Sequence, residues 1–205
     1  MARRAVAAAA RRLRRACRRR ERRDWRQPIT DPPSYSPQAP FAGGPSALDR
    51  LDRDVLSLSG VSAVIWLEGI NDLTSGVSAE AVIDGLRRGV ARMRARARGL
   101  RVIGATITSS VGAAGPAGSA DVEARRQVVN AFIRSGGLFD AVADFDGATA
   151  DPPTGALRAA FQPGSTTGGA GDRLHPNRAG HQAMAEAIDI GVLAPVPASG
   201  SGPDR

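Results

Sequence analysis

One short apolar run, Val61–Leu67 (VSAVIWL), most constrains what this chain can fold into. Its length is that of a strand, far below the roughly 18 residues that a membrane span would need. Its nearly unbroken apolar character is the pattern of a strand covered on both faces, which is how parallel sheets are built. The expected setting is a parallel sheet between layers of helices.

The flanking sequence supplies those helices. Ser46 opens one, with Asp49 three residues on as an acidic relative of the capping box. Leu48, Leu51, Val55 and Leu56 share one face, and Gly60 ends the element. Ser78 starts a second helix with the stripe Ala79, Val82, Ile83, Leu86, Val90 and Met93. The arginines from Arg87 to Arg98 make its solvated face, and Gly99 stops it. Arg101–Ile107 (RVIGATI) reads as the next strand. After a Gly/Ala/Pro loop, Asp121 caps a third helix striped by Val128, Val129, Phe132 and Ile133. Asp140–Asp146 is a short third strand, and 147–172 an irregular loop. Pro176 and Asn177 lead into a last helix with Ala183, Met184, Ala187 and Ile188 inside. Strands alternating with helices imply parallel pairing through right-handed crossovers. Such sheets carry their sites at the carboxyl ends of strands, so chemistry is expected in the loops after Leu67, Ile107 and Asp146.

The net charge of +8 and pI of 11.3 invite a nucleic-acid-binding reading. The distribution argues against it. All 28 basic residues are Arg, and twelve of them fall in residues 1–26 beside only Glu21 and Asp24. That segment carries +10 and the rest of the chain −2, so the basicity belongs to one end and nucleic acid is not an expected partner. The single Cys17 excludes an internal disulfide and any multi-Cys zinc site. Ala5–Ala10 is too short and too weakly apolar for the core of a secretory signal, and no run suggests stable membrane insertion. Residues 27–45 read as Pro-rich extended loop, and the tail from Pro195 as disordered.

Two motifs stand where the topology expects chemistry. After the first strand comes Gly69-Ile70-Asn71-Asp72. Gly69 permits a sharp turn, and the Asn71 amide can donate hydrogen bonds towards a developing negative charge. On its own the motif equally fits a plain turn in which Asn71 and Asp72 bond their own backbone. Near the other end, Asp172 and His175 stand three apart in GDRLHPN. That spacing lets the carboxylate reach the imidazole Nδ1 and leaves the other ring nitrogen as a general base. An incidental surface His at a helix entrance fits the same residues. His181 reads as an exposed helical residue, Thr106 and Thr108 as β-branched strand residues, and Asp144 and Asp146 as structural.

Together the two motifs resemble blocks three and five of the SGNH, or GDSL-type, esterase and lipase family. GPSALDRLDRDVL, VSAVIWLEGINDL, RVIGATIT, ARRQVVNAFIRSGGLFDAVADFD and GDRLHPNRAGHQAMAEAID resemble the family in its expected order, over about residues 40–190. The resemblance implies a three-layer α/β fold of flavodoxin-like type with a parallel sheet. It also implies ester hydrolysis by Ser-His-Asp acyl transfer, without cofactor or metal, on a small-molecule, lipid or carbohydrate ester. His175 is then the base, Asp172 its partner, Asn71 an oxyanion-hole donor, and Gly69 and Asp72 the motif's turn.

Two blocks of the family pattern do not occur. Gly-Asp-Ser, which supplies the nucleophile, is nowhere in the sequence, and neither is G-x-S-x-G. The second block, whose Gly lends an oxyanion N–H, is expected near residues 20–30, where the chain reads ERRDWRQP. One set of codons for that octapeptide, read one base later, gives Ser-Ala-Gly-Ile-Gly-Gly-Asn, which resembles the block. Residues 1–27 are therefore expected to be an out-of-frame translation of a family member whose start was lost. The absence of Lys, with abundant Ala, Gly, Pro and Arg, fits a GC-rich gene. Residues 28–192 would then be the C-terminal part of the hydrolase domain, with its first two strands missing or disrupted, and 193–205 a tail. Val61–Leu67 would become an apolar edge prone to aggregation, and the chain would be inactive. A reading of the encoding DNA in three frames through and upstream of Met1 sinks this expectation if no Gly-Asp-Ser turns up. The alternative is a non-catalytic binding protein on the same fold, with a basic N-terminal arm for nucleic acid or anionic surfaces.

Overall fold

The expected parallel sheet is present. A computed structural model describes residues 29, 45–96 and 99–193 of the 205, and the expectations placed on 1–27, on 30–44 and on the tail from 194 lie outside the described residues. Helix α1 (Ala47–Leu51) runs on through a π-turn, Asp52–Leu56, and β1 follows at Ala63–Trp66. Next come the short α2 (Ile70–Thr74), α3 (Ala79–Arg96) and β2 (Arg101–Ala105). The long α4 (Ala120–Ser135), β3 (Ala141–Ala143), the short α5 (Phe145–Thr149) and α6 (Arg178–Glu186) complete the order. The strands lie side by side as β1-β2-β3, all parallel, with Val64 opposite Val102 and Ile103 opposite Ala141.

Alternate strand residues enter two different cores, so the sheet is covered on both faces. Val64, Trp66 and Val102 pack with α1, α3 and α4, against Leu51, Val82, Leu86 and Val129 among others. Ala63, Ile65, Ile103, Ala105 and Ala143 pack on the other side with Phe145 of α5 and Met184 of α6. This is the three-layer α/β arrangement. On β1 only Trp66 is fully buried; Ala63, Val64 and Ile65 are half-buried.

The expected stripe of α3 is buried throughout, from Ala79 to Met93. Its described arginines, Arg87, Arg88, Arg92, Arg94 and Arg96, are exposed as expected, and three of them also make contacts. Arg92 pairs with Asp52 and donates to the Leu48 carbonyl, Arg94 holds Asp140 and the Leu138 carbonyl, and Arg87 sits 4.9 Å over the Phe132 ring. On α4 two details differ. Ser119, not Asp121, is the N-cap, its hydroxyl accepting from the Val122 N–H, while Asp121 pairs with Arg125 one turn on. Val128 is 48% exposed, because the face towards the sheet runs through Val122, Arg126, Val129, Asn130 and Ile133. Two polar residues in the inward stripe misled the apolar pattern.

Helix α3 reaches β1 closely because residue 89 is Gly. A Cβ there would lie 2.2 Å from the Trp66 ring. Gly89→Ala gains about 1 kcal/mol of helix propensity and loses about 1–3 kcal/mol to overpacking against a buried indole. The expected net result is a lower melting temperature. An unchanged or raised one would show that the ring has room to move.

Candidate active site

Past β1 the chain runs through Leu67, Glu68 and Gly69 into α2. Gly69 has φ +123°, and a Cβ there would sit 2.9 Å from Ile107 Cδ1 and 3.3 Å from Val82 Cγ1. Conformation and space both demand glycine at this position. Asp72 accepts the Ser75 and Val77 N–H groups on its carbonyl and also reaches far along the chain. It is fully buried, and its Oδ2 accepts the Ile29 N–H at 2.8 Å from 43 residues away. Asn71 lies in the first turn of α2 and faces a cleft.

The opposite side is built by the loop before α6. Asp172 accepts the N–H groups of Leu174 and His175 on Oδ1, at 3.0 and 2.9 Å. Its Oδ2 meets His175 Nδ1 at 2.5 Å. One carboxylate therefore both shapes the loop and orients the imidazole. Burial pushes the Asp172 carboxyl up, but the His175 N–H, the imidazole and the Leu174 N–H outweigh it and hold the group below the ordinary carboxylate range. Arg173, between the two, adopts φ +61°, the left-handed region that costs a side-chain-bearing residue energy. Asn177 caps α6, accepting from Ala179 and Gly180, and its amide donates to the carbonyls of Ala160 and Pro163. The helix entrance that carries His175 is thus tied to the long preceding loop.

Gly69, Asn71 and His175 line one cleft of about 200 Å³ between the two loops. Asp172 stands behind His175. Leu67, Ile70, Ile107, Leu174 and Met184 make the apolar part, and Glu68, Thr108 and His181 the remaining polar part. His181 is exposed as expected, yet it borders the cleft, with Nδ1 on the Asn177 carbonyl at 3.0 Å. Thr106 and Thr108 divide. Thr108 faces the cleft, while Thr106 is buried, donating to Asp144 and accepting the Asp146 N–H. Asp144 and Asp146 pair with Arg134, and Asp146 also with Arg126, in line with a structural role.

Glu68 was not singled out in the sequence, although its place just past the carboxyl end of a strand was a signal. It receives a hydrogen bond from Arg50 Nη2 at 2.7 Å. Burial pushes its carboxyl up to about 7, against the pull of Arg50 and helped by Asp72. Among the described residues no group of three or more His, Cys, Asp or Glu could hold a metal ion, and no helix is long and apolar enough to cross a membrane.

Comparison with known proteins bears on the fold and the family. The chain is similar in structure to a GDSL-like lipase from Bacteroides thetaiotaomicron, with TM-score 0.59 and 17% identity over 73% of each chain. It is also similar to LAE5, an α/β hydrolase enzyme from the metagenome of Lake Arreo, Spain, with TM-score 0.52 and 24% identity over 73% of this chain and 70% of that one. At these identities the likeness concerns the fold. No curated protein matches the chain. The GDSL-like lipase/acylhydrolase family model, by contrast, matches residues 2–183, nearly the whole length, and the chain belongs to that family.

Proposed function

We propose that the cleft is an ester-hydrolysing site in which His175 is the general base, Asp172 its orienting partner and Asn71 an oxyanion donor. The observation that carries this reading is the contact of Asp172 Oδ2 with His175 Nδ1, on a cleft that also holds Asn71. A carboxylate that accepts from Nδ1 fixes the proton there and makes Nε2 the basic nitrogen. It also stabilises the imidazolium that forms when Nε2 takes a proton from a nucleophile. Asn71, at the carboxyl end of β1, can donate its amide to the oxygen of a tetrahedral intermediate. Family membership supports hydrolysis of an acyl ester as the reaction class.

The 205 residues contain no Gly-Asp-Ser, the triplet that would give the base a serine to activate. This chain is therefore expected to turn over 4-nitrophenyl acetate no faster than buffer, because an oxyanion donor and a base without a nucleophile leave only slight catalysis. Steady hydrolysis that disappears in His175→Ala would overturn the inactivity and support the assigned base. Hydrolysis unaffected by His175→Ala, or by Asn71→Ala, would refute the site itself. Salt-sensitive DNA binding that vanishes on removal of residues 1–26 would favour the binding-protein alternative.

A further inference from the structure

Three side chains on one face of α4 hold a wall of the cleft. Strand pairing between β2 and β3 continues to Thr106, whose N–H donates to the Ala143 carbonyl. At Ile107 the partner changes from a strand to a side chain. Asn130 Oδ1 accepts the Ile107 N–H at 2.8 Å, and Asn130 Nδ2 donates to the Ile107 carbonyl at 2.8 Å. The carboxamide thus pairs with residue 107 as a neighbouring strand would. Arg126 Nη1 donates to the same carbonyl at 2.6 Å and to Asp146 Oδ1 at 2.7 Å. Its Nε and Nη2 hold the Glu123 carboxylate at 2.8 and 2.6 Å. Glu123 in turn accepts from the Ser110 hydroxyl at 3.1 Å.

Arg126 and Asn130 are both 0% exposed. A buried peptide group needs hydrogen-bond partners for stability alone, and Asn130 already supplies both for Ile107. A buried guanidinium goes beyond that need, since desolvating a full charge is expensive before its pairs offset it. On the far side of the clamped peptide lies the cleft. Ile107 and Thr108 line it, and Ile107 Cδ1 packs so closely on Gly69 that no Cβ fits between them. The wall and the turn that carries Asn71 therefore have no slack. We propose that Glu123, Arg126 and Asn130 are positioning residues that hold the Ile107–Ser110 wall against the Gly69–Asn71 turn and set the width of the cleft for the acyl part of an ester. This rests on the ester-hydrolase reading of the cleft.

Two variants test it. Arg126→Lys keeps the charge but replaces a rigid fork by one ammonium that cannot span Ile107, Glu123 and Asp146 together. Glu123→Gln is milder, leaving Arg126 on Ile107 and Asp146 while loosening Ser110. On each folded variant two quantities are read by NMR: the Gly69 and Asn71 amide resonances, and the affinity for ethyl butyrate followed at Thr108 and Asn71. In Arg126→Lys both resonances are expected to move and ethyl butyrate to bind about tenfold more weakly, with a smaller change of the same sign in Glu123→Gln. Variants that melt earlier but keep the wild-type resonances and affinity would reduce the clamp to a structural role and overturn the proposal. If Arg126→Lys does not fold, Glu123→Gln carries the same two readings. If the wild type itself shows no binding, the ester reading fails, and the Gly69 and Asn71 resonances alone decide the clamp.

Discussion

Arg126→Met is expected to lower folding stability by about 3 kcal/mol, the low end of the range for breaking a buried ion pair by removing one partner. The size follows from what is left behind. Asp146 has a side chain only 10% exposed, so its charge stays out of water, but it keeps a second partner in Arg134 at 3.0 Å. Glu123, 21% exposed, can turn to solvent. The Ile107 carbonyl keeps Asn130. Without those alternatives the loss would reach about 5 kcal/mol. Burial by itself pulls the Arg126 guanidinium down, yet Glu123 and Asp146 outweigh that and raise it, so the group is charged wherever the protein folds. Arg126→Met/Asp146→Asn, which removes both charges, should recover part of the loss. Urea unfolding of the two single variants and the double one measures the coupling, and strict additivity would show that the pair does not act as a unit.

The same residue shows where the sequence stopped being readable. Periodicity located α3 well, because its stripe is apolar from Ala79 to Met93 and every member is buried. On α4 the rule that apolar residues point inward broke down. Arg126 and Asn130 occupy the inward face, and Val128 turns out to solvent. A charged residue carries no sequence mark that tells a solvated face from a buried network; only the partners decide, and besides Glu123 three residues back they lie 19 and 20 residues away, at Ile107 and Asp146. The Asp172–His175 contact was legible because both groups sit on one loop, three residues apart, where backbone geometry dictates proximity. That Asn71 and His175 share a cleft followed from topology, which gathers the carboxyl ends of parallel strands at one edge. Glu68 and Met184 also reach that cleft, but their places there depend on how α2 and α6 pack, which local pattern does not encode.

Glu68 leads to the second large effect, a fall in stability as pH rises through the neutral range. Its carboxyl is pushed from an ordinary value of 4.5 to about 7, chiefly by burial. In the unfolded chain the proton leaves near 4.5, whereas in the folded protein it is held until about 7. Between those values the folded state binds more protons, so the stabilising contribution is fully present below 4.5 and is lost as pH rises through 7. The full shift corresponds to about 3 kcal/mol at 1.36 kcal/mol per unit of pKa. The side chain keeps 23% of its surface in contact with solvent and is hydrogen-bonded to Arg50, so a loss of about 1–2 kcal/mol is expected. Glu68→Gln should remove this slope. Arg50 keeps Asp54 at 3.5 Å in the variant, which limits the penalty for losing the carboxylate. Urea midpoints at several pH values between 5 and 8 should fall for the wild type and fall less for the variant. Parallel profiles would mean that Glu68 is ionised throughout the range, held by Arg50 strongly enough to overcome its burial, and that the cleft carries a fixed negative charge beside Asn71.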